Sequence, residues 1–292
     1  MDLSFTKMNG LGNDFVFIED LDELWDLDPD AVAWLCDRHF GVGADGVILV
    51  RPATDPAADY YMLYHNADGS LAEMCGNGAR CFAKYVVDRG LIAPDADSLV
   101  IQTLGGLKPV TFTRDYEGKL YSATVDMGEP VLTPALIPAT FDGEMVYDCA
   151  VETDLGTFNV TAVSMGNPHA IVWVEDVETA PVTTVGPLIE THPAFPRHTN
   201  VEFVQFVDVE TLRARVWERG VGETLACGTG ACATLVAAVL SCRTGRSATV
   251  ELPGGELLIR WHENDRVYMT GSAAEVFSGV IHLPEEDEDS CD

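Results

Sequence analysis

Basic residues are scarce in this chain: 17 Lys and Arg, only four of them lysine, stand against 47 Asp and Glu in 292 residues, for a formal charge of −30. That balance excludes a nucleic-acid partner, because a phosphate backbone demands basic patches. The four lysines, Lys7, Lys84, Lys108 and Lys119, lie in no recognisable phosphate cradle, which argues against pyridoxal phosphate. Long apolar runs are also missing. The longest, from Ala231 to Leu240, falls well short of the roughly 20 residues that cross a bilayer, so no membrane partner is expected. The first residues, MDLSFTKMNG, lack a basic stretch leading into an apolar one, so no secretory signal is read and a cytoplasmic location is expected. The eight cysteines include no CxxC pair and no zinc-finger spacing with histidine, so no metal site is expected. In a reducing compartment they should be free thiols, and a buried free cysteine packs as a small hydrophobe. The acidic excess runs along the whole chain, with one dense run in the tail PEEDEDSCD. It reads as a solvation strategy for high salt, where ions screen the self-repulsion, and a halophilic protein is expected.

What the sequence does have is ample core. With 47% hydrophobic residues spread over 292, it is long enough for two medium domains. Short strand-like runs dominate: DFVFI, DGVILV, DYYMLYHN, LVIQT, KPVTF and LYSATVDMG in the first half, then FNVTAVSMG, HAIVWVEDV, NVEFVQFVD, TLRARVWER, ATVELPGG, ELLIRWH and RVYMTGSA. Asp28, Pro29 and AVAWLCDRHF before Gly41 read as a capped helix, with Cys36 in its packed face. Beyond it, one apolar helix is expected in each half.

Those two helices carry an internal repeat. CGNGARCFAKYVVDRG begins at Cys75 and CGTGACATLVAAVLSCRTG at Cys227, 152 residues later. Each is a CGxGA turn opening an apolar helix that ends at glycine. The second helix is apolar on all sides and must be enclosed. The repeat predicts an α+β protein of two pseudo-symmetric domains, each a rolled, mostly antiparallel sheet around a central apolar helix. The expected boundaries are 1–120 joined by a returning strand at about 274–284, then 121–273, with 285–292 as an acidic tail.

A CGxGA turn lets a ligand approach the backbone closely and leaves the N–H groups of the first helical turn free for an anion. The same dipole should lower a cysteine pKa from about 8.5 into roughly 3.5–7.5. Two such thiols, one per half, suit a two-base reaction. One removes a proton from a carbon and the other delivers one to the opposite face, inverting a stereocentre. The plain alternative is a pair of core cysteines beside glycine turns.

The ordered segments KMNGLGNDFVFIED, FGVGADGVIL, HNADGSLAEMCGNGARC, GNPHAIVW, HTNVEFV and WERGVGETLACGTGAC cover nearly the whole chain, and on them the sequence resembles the diaminopimelate epimerases. The resemblance implies cofactor-independent interconversion of LL- and meso-diaminopimelate in lysine biosynthesis. Cys75 and Cys227 become the acid/base pair, and His169 and Glu218 the auxiliary catalytic positions. It implies binding roles for Asn13, Asn66, Gly76, Asn77, Asn167, Asn200, Glu218, Arg219, Gly228 and Thr229. The partner would be this small molecule, with a homodimer as the assembly to consider. These residue types suit a substrate with a second amino-acid head, since Arg219 can grip a distal carboxylate with two bonds and the amides both donate and accept. Taken singly, each asparagine beside glycine or proline reads equally as a turn residue, and His169 as a satisfied structural group.

One departure stands out: some relatives carry glutamine where this chain has Gly46, so any polar contact made there is missing. Gly41, Gly43 and Gly46 also satisfy GxGxxG, but they follow a helix and lead into a strand, the reverse of a dinucleotide site. No cofactor is therefore expected. The alternatives are a proline or hydroxyproline racemase, whose first motif usually reads CGHG where Asn77 stands here; a phenazine-biosynthesis-like isomerase, which does not keep both cysteines; and a binding protein with a decayed site.

Overall fold

The structure, a computed structural model, describes residues 1–283, and the expected acidic tail at 285–292 lies outside them. From the N-terminus come β1 (Asp2–Gly10), β2 (Asn13–Glu19), α1 (Pro29–Cys36), β3 (Gly46–Pro52) and β4 (Tyr60–Asn66). Next are α2 (Gly76–Asp88), β5 (Ser98–Thr103), β6 (Gly106–Arg114) and β7 (Leu120–Gly128). After a 3-10 turn at Pro134–Leu136 follow β8 (Cys149–Thr153), β9 (Gly156–Ser164), β10 (Pro168–Val174), α3 (Val182–Glu190), β11 (Asn200–Asp208) and β12 (Thr211–Glu218). The last elements are β13 (Gly222–Thr224), α4 (Gly228–Leu240), β14 (Ser247–Leu252), β15 (Gly255–Trp261), β16 (Val267–Gly271) and β17 (Ala274–His282). No helix among the described residues is long and apolar enough to cross a membrane.

The chain divides into two compact units, Met1–Ala123 with the segment from Ser272 onward, and Thr124–Gly271. In the first unit the strands pair in the order β17, β1, β2, β3, β4, β5, β6. Their successive pairings are antiparallel, antiparallel, parallel, antiparallel, parallel and antiparallel. In the second unit β8, β9, β10, β11, β12, β14 and β15 repeat that series without exception. β16 then pairs with β15. Helices fall at matching places: α1 and α3 cross between the parallel pairs β2/β3 and β10/β11, and α2 and α4 lie between the parallel pairs β4/β5 and β12/β14, α4 after the short β13. This is an α+β fold of two pseudo-symmetric, mostly antiparallel sheets.

Strand alternation sorts the side chains. In the first unit Leu3, Phe5, Val16, Ile18, Val47 and Leu49 pack with Val32 and Leu35 of α1. The intervening Phe17 faces α2, its ring stacked on Tyr85 at 5.6 Å between centroids. In the second unit Ala170, Val172, Val201 and Phe203 pack with Val182, Val185 and Ile189 of α3. The opposite face meets α4, which touches β9, β10, β11, β12, β14, β15 and β16. That enclosure is why α4 tolerates no polar face, and every residue from Gly230 to Ala238 is buried.

α1 begins as its sequence predicts, with the Asp28 carboxylate accepting from the Ala31 N–H at the N-terminus and Pro29 in the first turn. α3 is an addition to the expected single helix of the second half. Gly186 and Pro187 read as breakers, yet Val182, Val185 and Ile189 recur at helical spacing and bury against the sheet. Gly186 is required by that packing, because a Cβ there would lie 2.7 Å from the Trp217 side chain.

Candidate active site

Each repeat cysteine is the N-cap of its helix. Cys75 adopts an extended backbone, φ −137° and ψ 120°, and its sulfur accepts the Gly78 N–H at 3.3 Å. Cys227 does the same, φ −121° and ψ 112°, accepting the Gly230 N–H at 3.4 Å. A cysteine thus stands where serine or aspartate usually caps. The glycine two residues after each cysteine's own glycine is fixed by close packing. A Cβ on Gly78 would meet the Ile48 side chain at 3.1 Å, and one on Gly230 would meet Glu202 Oε1 at 2.6 Å.

In the first unit the Cys75 thiol donates to Asn13 Oδ1 at 3.7 Å, and Asn77 Nδ2 donates to the same oxygen at 3.1 Å. Asn13 is oriented from behind, its Nδ2 donating to Asp45 Oδ2 at 2.8 Å. Asp45 in turn accepts from Arg38 at 2.8 Å and from the Asp14 N–H at 3.0 Å. Asp14 bridges Arg38 and the buried Lys7. Burial alone would raise the Asp14 carboxyl, but hydrogen bonds from Arg38 and Lys7 overcome it and hold it at about 2. Arg80, fully buried, donates to Asn77 Oδ1 at 3.0 Å and to the Ser272 carbonyl at 3.2 Å. Asn66 closes β4 opposite Gly46 and donates to Ser70 Oγ at 3.0 Å. At Gly46 itself a side chain has no room, since a Cβ would lie 2.5 Å from the His65 carbonyl and 2.6 Å from the Tyr64 ring. The Tyr64 ring edge fills the place where a side chain at this position would start.

In the second unit the acids lie close to the cysteine itself. His169 and Glu202 are fully buried and joined Nδ1 to Oε1 at 2.7 Å. His169 Nε2 lies 3.0 Å from Asn167 Oδ1. Cys227 is buried, 3.4 Å from the Thr229 hydroxyl. The Glu218 carboxylate lies nearby and accepts from Thr224 Oγ1 at 2.5 Å. Burial raises the Glu218 carboxyl above its usual range. Burial, with the nearby Glu218 and Glu202 carboxylates, pushes the Cys227 thiol well above its usual value, outweighing the Gly230 N–H. The helix terminus was expected to lower this thiol. The expectation fails at Cys227 because desolvation and two carboxylates outweigh the Thr229 hydroxyl and the Gly230 N–H.

Asn200 is engaged by the backbone: Nδ2 donates to the Pro168 carbonyl at 2.8 Å, and Oδ1 accepts the Arg219 N–H at 2.9 Å. It braces the turn that presents Arg219. The exposed Arg219 guanidinium donates to the Arg197 carbonyl at 3.1 Å. Gly76 and Asn77, like Gly228 and Thr229, occupy the first turns of α2 and α4. Sequence reasoning missed Glu190, whose carboxylate accepts from Trp217 Nε1 at 2.6 Å and the Gly220 N–H at 2.9 Å. It also missed Glu202, signalled by one acid inside the apolar run NVEFV. Among the described residues, His169, Glu202 and Cys227 form the one group able to offer three ligands to a metal, their atoms lying within 4.8 Å of one another.

The fold of duplicated units is one that solved structures share. A hydroxyproline epimerase from Agrobacterium vitis superposes with a TM-score of 0.73 at 16% identity, covering 98% of this chain and 94% of that one. A phenazine biosynthesis protein of the PhzF family from Bacillus anthracis gives 0.69 at 16% identity, covering 97% and 100%. At such identities the likeness is one of fold. The diaminopimelate epimerase family model matches residues 5–133 and 161–276. Diaminopimelate epimerases from Acetivibrio thermocellus and Pelotomaculum thermopropionicum are 48% and 50% identical, covering 97% and 95% of this chain and 100% and 98% of their own. One from Methanococcus maripaludis is 46% identical over 96% of the chain and all of its own length. The chain belongs to the diaminopimelate epimerase family.

Proposed function

We propose that this protein epimerises LL-2,6-diaminopimelate to the meso form without a cofactor, as a cytoplasmic step of lysine biosynthesis, with Cys75 and Cys227 as its two bases. The observation that carries the reading is the pair of N-cap cysteines on matched CGxGA turns, in a chain of this family. Free N–H groups at a helix N-terminus suit the substrate's α-carboxylate, which also stabilises the negative charge that develops when the α-proton leaves. One cysteine, as thiolate, takes that proton into an S–H bond; the electron pair stays on the α-carbon, delocalised into the carboxylate. The opposite thiol delivers its proton to the other face and becomes the thiolate. The direction of reaction exchanges the two roles. Burial keeps Cys227 protonated at rest, so it is poised to deliver. When it must act as base, Glu218 is the nearby carboxylate to take its proton. Arg219 takes the distal carboxylate, and Asn13, Asn66, Asn77, Asn167 and Asn200 fix the length and polarity of the substrate.

LL-diaminopimelate in deuterated buffer, followed by NMR, should acquire α-deuterium and invert one centre in the absence of pyridoxal phosphate. Efficient racemisation of proline with no reaction of diaminopimelate would overturn the assignment. The charge of −30 supports a salt-adapted enzyme, because the Debye length grows from about 3 Å at 1 M to about 30 Å at 0.01 M and carboxylates then repel far beyond their neighbours. The rate should fall from molar to millimolar KCl before far-UV circular dichroism changes, and full activity in dilute buffer would refute the halophilic reading.

A further inference from the structure

Glu202 is an expensive residue to bury. Its side chain is fully buried in the middle of β11, and its Oε2 has no hydrogen-bond donor among the described residues. An incompletely bonded carboxylate in the interior carries a desolvation penalty of several kcal/mol, and an apolar side chain of similar size is commonly neutral or better there. The fold itself makes that comparison. Register aligns His169 with Asn200 across β10/β11 and Phe15 with Gly46 across β2/β3. The matched segments are therefore GNPH, which ends in His169, and GNDF, which ends in Phe15. Glu202 then corresponds to Ile48, two residues after the aligned position in each strand. The side chains confirm it: the Cβ of Gly230 would strike Glu202, and that of Gly78 would strike Ile48. The scaffold is built equally well with Phe and Ile in this place.

We infer that Glu202 is a positioning residue of the Cys227 site, holding His169 with a proton on Nδ1 so that the ring's other nitrogen is aimed at Asn167. The inference rests on the epimerase reading of the same site. A carboxylate can only accept, so the 2.7 Å contact fixes the proton on Nδ1. Nε2 is then an acceptor and faces the Asn167 side-chain amide at 3.0 Å. Two acceptors cannot share that contact, so in this tautomer Asn167 gives its Nδ2 to the ring and keeps its Oδ1 to accept from a substrate ammonium. Glu202, His169 and Asn167 form one relay from the sheet interior to the cysteine's surroundings, which include Glu218. A metal centre is the competing use of the group. Two ligands of one tetrahedral zinc, each about 2.0–2.1 Å from it, stand roughly 3.3 Å apart. The His169–Glu202 separation is instead that of a hydrogen bond.

The decisive variants exchange the two units' residues. Glu202→Gln should lower kcat about 10–100-fold with KM within about threefold, the usual size of losing a carboxylate behind a working histidine. His169→Phe with Glu202→Ile should unfold at the same or higher urea concentration than wild type, and its kcat should be no lower than that of His169→Phe alone. Wild-type kcat in Glu202→Gln, or multiplying losses in the double variant, would overturn the inference. A readout independent of turnover is the long-range 1H–15N NMR pattern of the His169 ring: Nδ1 protonated in the wild type, shifting in Glu202→Leu. A wild-type ring protonated on Nε2 alone overturns the inference even if the enzyme is active. A wild type that keeps Nδ1 protonated but leaves diaminopimelate untouched refutes the epimerase reading and leaves the relay standing. Stoichiometric zinc binding that shields Cys227 from alkylation would overturn it in favour of a metal centre.

Discussion

The two units share a backbone plan and differ in the chemistry laid on it. Where the first presents Phe15, Gly46, Ile48 and Asn66 on the face beneath its helix terminus, the second presents His169, Asn200, Glu202 and Glu218 at the corresponding positions. Both cap the helix with a cysteine on a glycine turn. The residues that build the turn are thus common to both copies, and the titratable residues at these four positions are confined to one. Two cysteines at equivalent places need not be equivalent acids.

The sharpest way to break the comparison is to remove the sulfurs. Cys75→Ser and Cys227→Ser should each lower epimerisation by at least about 10³-fold, because a hydroxyl is far too weak an acid to supply the base. Comparable activity in both variants, measured by α-deuterium incorporation, would sink the two-base model. Cys36→Ser should leave the rate within about twofold, since burial holds the Cys36 thiol up at about 12, inert among apolar neighbours. Next in size is a transplant of charge. Ile48→Glu places a carboxylate beneath α2 where Phe15 holds the position that His169 has in the second unit, and should destabilise the protein by about 3–5 kcal/mol in urea unfolding. A neutral result would mean that the first unit holds an unrecognised partner for it. Smaller again is Glu190→Ala, which strips the acceptor from Trp217 and Gly220. A loss of about 1–3 kcal/mol is expected, with a lower affinity for substrate as the turn bearing Arg219 loosens; unchanged KM would show that Asn200 alone holds that turn. The smallest effect is pH-specific. The Asp14 carboxyl titrates at about 2 when folded against an ordinary 3.8, so its contribution is complete above about pH 4 and is lost as pH falls toward 2. Asp14→Asn should flatten that part of the acid unfolding curve, and an unchanged curve would place the acid sensitivity elsewhere.

Much of this was legible in the residues. Alternating apolar runs located most strands, and two CGxGA turns gave the duplication and both cysteines, because turn chemistry and period are local properties. α3 escaped because Gly186 and Pro187 are local breakers whose acceptance depends on Trp217 across the sheet. Glu202 escaped because one acid in NVEFV has no local meaning until β10 brings His169 beside it. The direction of the Cys227 shift was misjudged for the same reason. A helix terminus is visible in the sequence, whereas the carboxylates that oppose it arrive from β11 and β12. The crowding at Gly46 likewise depends on β4, which supplies the Tyr64 ring.

The return of β17 to pair with β1, Asp2 opposite His282 and Asn9 opposite Ala274, has a consequence for the order in which the molecule is made. The second unit is one uninterrupted segment, Thr124–Gly271, and all its strands can find their partners as soon as that segment leaves the ribosome. The first unit, though synthesised earlier, waits for its closing strand until nearly the whole chain has been translated. Assembly during synthesis therefore runs against the direction of the sequence. Until β17 arrives, β1 carries an open edge able to pair with other chains. A ribosome-bound chain cut at residue 271 and followed by a linker long enough to clear the exit tunnel should expose a protease-resistant second unit and a first unit that is still cleavable.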